Sequence, residues 1–367
     1  MKIIYSLILF SFITFFSEGQ EWESTKFTLD SFLTENPNLD KKVDSVFNTL
    51  NNNSIVAQLI MPAVGRLGQK EDTIKALLKD QLIGGVLLLN GTKVQFTNWI
   101  EEFESMNTNH NNLPFLYSAD AEPSLVNRKI LGSTPVPKAN EIESLIEVYK
   151  VASVISNELN DIGINYNFAP VVDMAKNKTV GYRGFGSTPE NIIPYSDAFI
   201  QQTQEQNIIA TAKHFPGHGL ISGDTHKSLQ IIDGELKELK NYPPLIKNGV
   251  LSIMIAHIAV KNNEKFSTNG APATTSRVIV TDLLRDSLGF NGLIVTDAMN
   301  MGGVSRYPNA SIKAIDAGCD VLLMPKNSRK SHREILAEFN SNETFKSRVS
   351  LAAKRVIRMK ICLGLID

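Results

Sequence analysis

Eight apolar runs rich in Val, Ile and Leu recur along the chain, and their spacing restricts the folds open to it. They are VAQLIMP (56–62), IGGVLLL (83–89), LPFLYSAD (113–120), INYNFAPVVD (164–173), IIATAKHF (208–215), LSIMIAHIAV (251–260), GLIVTDAM (292–299) and GCDVLLMP (318–325). The runs are continuous rather than alternating, as for parallel strands buried on both faces. Amphipathic stretches separate them. ENPNLDKKVDSVFNTLN precedes the first run and KEDTIKALLKDQ follows it. NEIESLIEVYKVASVISNELNDIG ends in a glycine able to close a helix, and PENIIPYSDAFIQQTQEQ opens on proline. SRVIVTDLLRDSLGF and HREILAEFN complete the set.

Strands alternating with helices predict an α/β fold, a single (β/α)8 TIM barrel with its active site at the C-terminal ends of the strands. An open doubly wound sheet shares the repeat and is the rival. Chemically capable groups stand where the apolar runs stop: Asp120, Asp173, Lys213 with His214, His257, and Asp297. In an open sheet they would gather at one switch point, so this distribution favours the barrel.

The N-terminus has another character. Lys2, the apolar IIYSLILFSFITFF and the small, polar SEGQ read as a secretory signal peptide. The run is short for a membrane span, and charged EWESTK follows it directly. The expected organisation is a signal peptide over 1–19, an N-terminal extension over 20–39 and a single domain over 40–367. That implies a periplasmic or secreted protein with no integral membrane span after cleavage. The net charge of −1 gives no general attraction to nucleic acid. Cys319 and Cys362 lie in apolar contexts and are expected to be buried free thiols rather than a disulfide scaffold.

KHFPGHGLISGDTH, Lys213 to His226, holds His214, His218 and His226, half of the chain's 6 histidines. With Asp224 they could ligate a metal, but the spacing matches no compact zinc pattern and Lys213 would repel a dication. No metal and no cofactor are expected. The chain has no G-x-S-x-G elbow, no GxGxxG after a strand and no GxxxxGK[ST] loop, which removes serine-hydrolase, dinucleotide and P-loop readings. A glycosidase needs a carboxylate at the anomeric carbon and a proton donor at the leaving oxygen. Asp297, at a strand end, suits the first; alone it would equally be a helix cap. His226, two residues after Asp224, suits the second, because a carboxylate on the ring fixes the tautomer. An Asp-x-His pair alone would equally be a surface contact.

These residues resemble glycoside hydrolase family 3, and within it the β-N-acetylglucosaminidase branch with its Lys-His-(Phe/Ile)-Pro-Gly-x-Gly…Asp-x-His signature. Further co-linear matches are LPFLYSAD with Arg128 beyond it, NFAPVVDM, GYRGFGSTPE, IMIAHIAV, PATTSRVIVTDLLRDSLGFNGLIVTDAM and AIDAGCDVLLMP, over about residues 40 to 365. The resemblance implies the family's N-terminal-type (β/α)8 catalytic domain over 40–367. Asp297 would be the nucleophile of a retaining double displacement, with His226 the acid/base polarised by Asp224. Asp120 would hold sugar hydroxyls with Arg128 close by, and Arg183, Lys213 and His214 would grip the remaining hydroxyls or the acetamido side. The implied substrate is a GlcNAc-containing oligosaccharide, foremost a peptidoglycan fragment. Phosphorolysis at the same site and a non-catalytic sugar-binding barrel are the alternatives. One departure stands out: after Asp120 the chain reads AEPSLVNRKI, where the family carries glycines.

Overall fold

The computed structural model describes residues 26–367; the expected signal peptide lies outside the described residues. Seven parallel strands form one curled sheet in the order Leu293–Thr296, Ser252–Ile255, Ile209–Phe215, Tyr166–Asn167, Leu116–Ala119, Gly85–Leu88 and Ala63–Val64. Beyond one end, Ile60–Met61 pairs in parallel with Leu322–Leu323. Beyond the other, Val321 bridges Val295.

Each strand serves two cores, which explains the unbroken apolar runs. On Gly85–Leu88, Val86 and Leu88 join the cluster that takes in Ile74, Phe96, Phe103 and Ile155 of the surrounding helices. Leu87 points the other way, into a cluster with Met61, Leu116, Tyr166, Met254, Leu293 and Leu323. Side chains alternate between sheet faces with period two, so a strand covered on both sides has no polar phase.

The expected helices form as Pro37–Asn48, Glu71–Lys79, Leu145–Ile162, Pro189–Glu205 and Ser328–Ser341, and Val278–Ser287 winds at the wider π pitch. Gly163 closes Leu145–Ile162 in the left-handed region, φ 93°, a conformation that costs glycine nothing. Lys93–Asn109 and Glu343–Cys362 are the longest of the helices beyond those expected. The first apolar run divides into helix Asn52–Ala57 and strand Ile60–Met61. The sixth divides as well: Ile258–Lys261 leaves the main sheet and pairs with Gln230–Asp233. Cys319 and Cys362 are buried free thiols. Among the described residues, no helix is long and apolar enough to cross a membrane.

Candidate active site

The inner core stops short of the C-terminal strand ends, where Leu87, Leu89, Met254 and Leu323 form part of the lining of a cavity of about 520 Å3. All the candidate residues except Asp224 line it directly: Asp120, Arg128, Arg183, Lys213, His214, His226 and Asp297. Asp224 reaches it through His226.

Asp297 follows strand Leu293–Thr296 and is fixed at both ends. Its N–H donates to Ile255 O at 2.9 Å, and its Oδ1 accepts the Ala298 N–H at 2.7 Å. Burial alone would raise its carboxyl, but nearby His214 and His257, with the Ala298 N–H, hold it below the usual carboxylate range. It is therefore an anion at neutral pH. His257 lies wholly buried behind it, its Nε2 donating to Ala298 O at 3.0 Å and its Nδ1 facing Thr274 Oγ1 at 2.7 Å.

Asp224 and His226 occupy the loop after strand Ile209–Phe215. Asp224 Oδ1 lies 2.8 Å from His226 Nδ1 and 2.9 Å from its backbone N–H. The carboxylate thus holds the Nδ1–H tautomer, leaving Nε2 as the working nitrogen. The ring is 61% exposed. Its loop is nevertheless tethered: Gly302 and Gly303, just past Asp297, donate N–H to His226 O at 2.9 Å and Thr225 O at 3.0 Å. A Cβ on Gly302 would lie 2.2 Å from Lys227 O, so only glycine permits the approach.

A chain of alternating charges lines the opposite wall. Lys129 Nζ meets Asp120 Oδ2, and Lys213 Nζ bridges Asp120 Oδ1 at 3.0 Å and Glu122 Oε1 at 2.6 Å. Arg183 closes on Glu122 from the far side, its Nε at 2.8 Å from Oε2. Burial would raise both acids, but the cations prevail: Asp120 is driven far below its usual range by Lys129 and Lys213, and Glu122 falls to about 2 beside Arg183 and Lys213. Lys129 is the neighbouring cation bonded to Asp120, while Arg128 lines the same cavity without that contact. Successive residues of the short helix Val126–Lys129 project about 100° apart, so one of the two faces the strand end. Arg128 instead turns toward the Tyr182 hydroxyl at 3.4 Å.

Glu122 and Lys129, not among the residues expected from the sequence, fall within the departing stretch after Asp120. The signal was the Asp-x-Glu spacing, which sets two carboxylates at one strand end within reach of Lys213. Asp173 is the other organiser. Fully buried, it accepts from His214 Nδ1 at 2.6 Å, His214 N–H at 3.2 Å and His218 N–H at 2.8 Å. Its task is to orient His214. Glu238 does the same for the loops, accepting the N–H groups of Met174, Gly219 and Leu220 at 2.6, 3.1 and 3.1 Å. A Cβ on Gly219 would lie 1.8 Å from Met174 O, which accounts for that glycine of the motif.

A family model described as the glycosyl hydrolase family 3 N terminal domain matches residues 52–359. The β-hexosaminidase of Hydrogenovibrio crunogenus is 30% identical over 272 residues, 68% of this chain and 74% of that protein. β-Hexosaminidase A of Pseudoalteromonas piscicida is 33% identical over 258 residues, 63% of this chain and 42% of that one. The family 3 β-N-acetylglucosaminidase structure from Paenibacillus sp. str. FPU-7 superposes with a TM-score of 0.78 at 27% identity, covering 86% of this chain and 63% of the other. The chain therefore spans about three quarters of the first relative and less than two thirds of the other two.

Proposed function

The chain belongs to glycoside hydrolase family 3, and from that premise we propose that it is an exported, retaining β-N-acetylglucosaminidase acting on GlcNAc-terminated fragments, foremost those of peptidoglycan. The observation that carries this reading is the convergence of two independent loops on one cavity. One brings an ionised Asp297, the other a His226 whose Nδ1 is committed to Asp224.

In the proposed reaction His226, protonated, gives its Nε2 proton to the glycosidic oxygen while Asp297 attacks the anomeric carbon. The aglycone leaves as an alcohol and the sugar stays as an ester on Asp297. Neutral His226 then takes a proton from water, and the hydroxide equivalent displaces Asp297 with a second inversion. Asp120, held by Lys129 and Lys213, offers paired acceptors to two hydroxyls. Arg183 and His214 flank the same space as donors. The proposal extends to a closed (β/α)8 barrel, supported by Val321 N–H donating to Ile294 O and Leu322 N–H to Leu59 O across the seam between the sheet's ends.

The test is release of nitrophenol from the aryl β-N-acetylglucosaminide, with the first-formed sugar identified by NMR. The β anomer is expected from the wild type and no turnover from Asp297→Ala. An α anomer, or a fully active Asp297→Ala, sinks the mechanism. Release of disaccharide rather than GlcNAc from cell-wall fragments would redirect the substrate.

A further inference from the structure

The cavity wall opposite Asp297 is more positive than a neutral sugar requires. Its alternating chain runs Arg183, Glu122, Lys213, Asp120, Lys129. The chain starts and ends on a cation, so it keeps one net positive charge. Arg128, next to Lys129, adds a second, since a guanidinium is always charged. Arg128 lines the cavity, and among the described residues its guanidinium meets no carboxylate; its polar contact is the Tyr182 hydroxyl at 3.4 Å. The other carboxylate in the cavity lining is Asp297, on the far side.

A pyranose carries C1 at one end of the ring, and C4 and the exocyclic C6 arm at the other. Asp297 follows strand Leu293–Thr296, which stands four places along the sheet from Leu116–Ala119, the strand before Asp120. With C1 at Asp297, the C4 and C6 end therefore meets the wall of Asp120, Lys129 and Arg128. Each Asp120 oxygen already accepts from a lysine, Oδ1 from Lys213 and Oδ2 from Lys129, which leaves few acceptors for ring hydroxyls. Donors are what this wall has in surplus. A planar guanidinium beside an ammonium is a donor set suited to a tetrahedral oxyanion. Lys129 is partly buried and Arg128 exposed at the rim, so a group on the rotating C6 arm can reach both. The same group on a ring hydroxyl would be pressed against the Asp120 carboxylate and repelled.

We propose that the site takes, in preference to the neutral sugar, β-N-acetylglucosaminides whose terminal sugar carries a sulfate or phosphate monoester on C6, held by Arg128 and Lys129. The inference rests on the reading of the site as a β-N-acetylglucosaminidase with C1 at Asp297. Both esters present several acceptor oxygens and negative charge, so one donor set serves either. The selectivity lies wholly in the sugar that is released, and the aglycone takes no part in it.

Nitrophenyl β-N-acetylglucosaminide, its 6-sulfate and its 6-phosphate share one leaving group and isolate the effect with the full chain. At least one ester is expected to exceed the neutral sugar roughly tenfold in kcat/KM at low ionic strength, mainly through KM. The larger of the two preferences identifies the ester. The readout is the ratio of ester to neutral kcat/KM on one protein sample, which a merely structural loss leaves unmoved. Arg128→Gln with Lys129→Gln should bring that ratio to about one, and Arg128→Glu should push it lower still. A wild type that prefers neither ester overturns the inference alone, as does a ratio untouched by the double substitution. Cleavage of none of the three glycosides overturns the hydrolase reading, and the inference with it.

Discussion

His218 Nε2 lies 2.8 Å from Thr225 Oγ1, and both side chains are buried. This bond joins the first half of the histidine-rich loop to the residue before His226. Burial, with His214 nearby, holds His218 below the usual imidazole range, so it is neutral and the contact is an ordinary hydrogen bond. Thr225→Val is expected to lower kcat/KM about tenfold or more on sugar aglycones by misplacing the proton donor. A dinitrophenyl aglycone leaves without protonation and should be little affected. Thr225→Ser restores the rate. Equal losses on both leaving groups would make the contact purely structural.

Glu122 makes a second prediction. It is fully buried between Lys213 and Arg183, so Glu122→Gln leaves two cations facing a neutral amide. Breaking a buried pair from one side costs about 3–5 kcal/mol, and KM for the sugar should rise because Arg183 loses its anchor and Lys213 keeps only Asp120. The pH signature follows from the depressed carboxyl, about 2 against the usual 4.5. Its contribution is fully present above pH 4.5 and is lost as pH falls toward 2, about 3 kcal/mol in all. Urea midpoints across that window should separate wild type from variant; parallel curves would refute the linkage.

Lys360 works in the opposite direction. It is fully buried, and its Nζ has two neutral acceptors, Gln58 Oε1 at 2.6 Å and Gly84 O at 3.0 Å. Burial pushes its ammonium down to about 7 from 10.5. Between those values the unfolded chain holds a proton that the native one lacks, so stability rises with pH. The gain from pH 7 to 9.5 should be about 3 kcal/mol. Lys360→Met should lack it, and denaturation midpoints at the two pH values decide the matter.

Asp320 tests the separation of fold from chemistry. At the far end of strand Leu293–Thr296 from Asp297, its carboxylate accepts from Arg285 at 2.5 Å, Arg355 at 3.0 Å and the Ile294 N–H at 2.8 Å. Asp320→Asn is expected to lower stability by about 2–4 kcal/mol while leaving kcat/KM per folded molecule unchanged. A selective loss of kcat without loss of stability would contradict this.

The sheet was legible because its strands are buried on both faces, and unbroken apolar runs follow from that geometry. The same continuity blurs boundaries: it cannot separate helix Asn52–Ala57 from strand Ile60–Met61, since a short apolar run fits either. Helix Lys93–Asn109 carries a readable stripe in Phe96, Trp99, Ile100 and Phe103 and belongs with the rest. At the site, Asp297 stands out by its strand-end position, and Asp224 and His226 by their spacing. Lys129 does not, because which of two adjacent cations faces Asp120 depends on the phase of one short helical turn. Nor does Glu122, whose partner Arg183 is 61 residues away in sequence.

The amides of Gly302 and Gly303 close on the carbonyls of His226 and Thr225. The imidazole cannot withdraw from the cleft by moving its backbone without releasing both protons to solvent. Deuterium uptake at these two positions is therefore a built-in clock for cleft opening, readable without substrate. Any ligand that spans both loops should slow it.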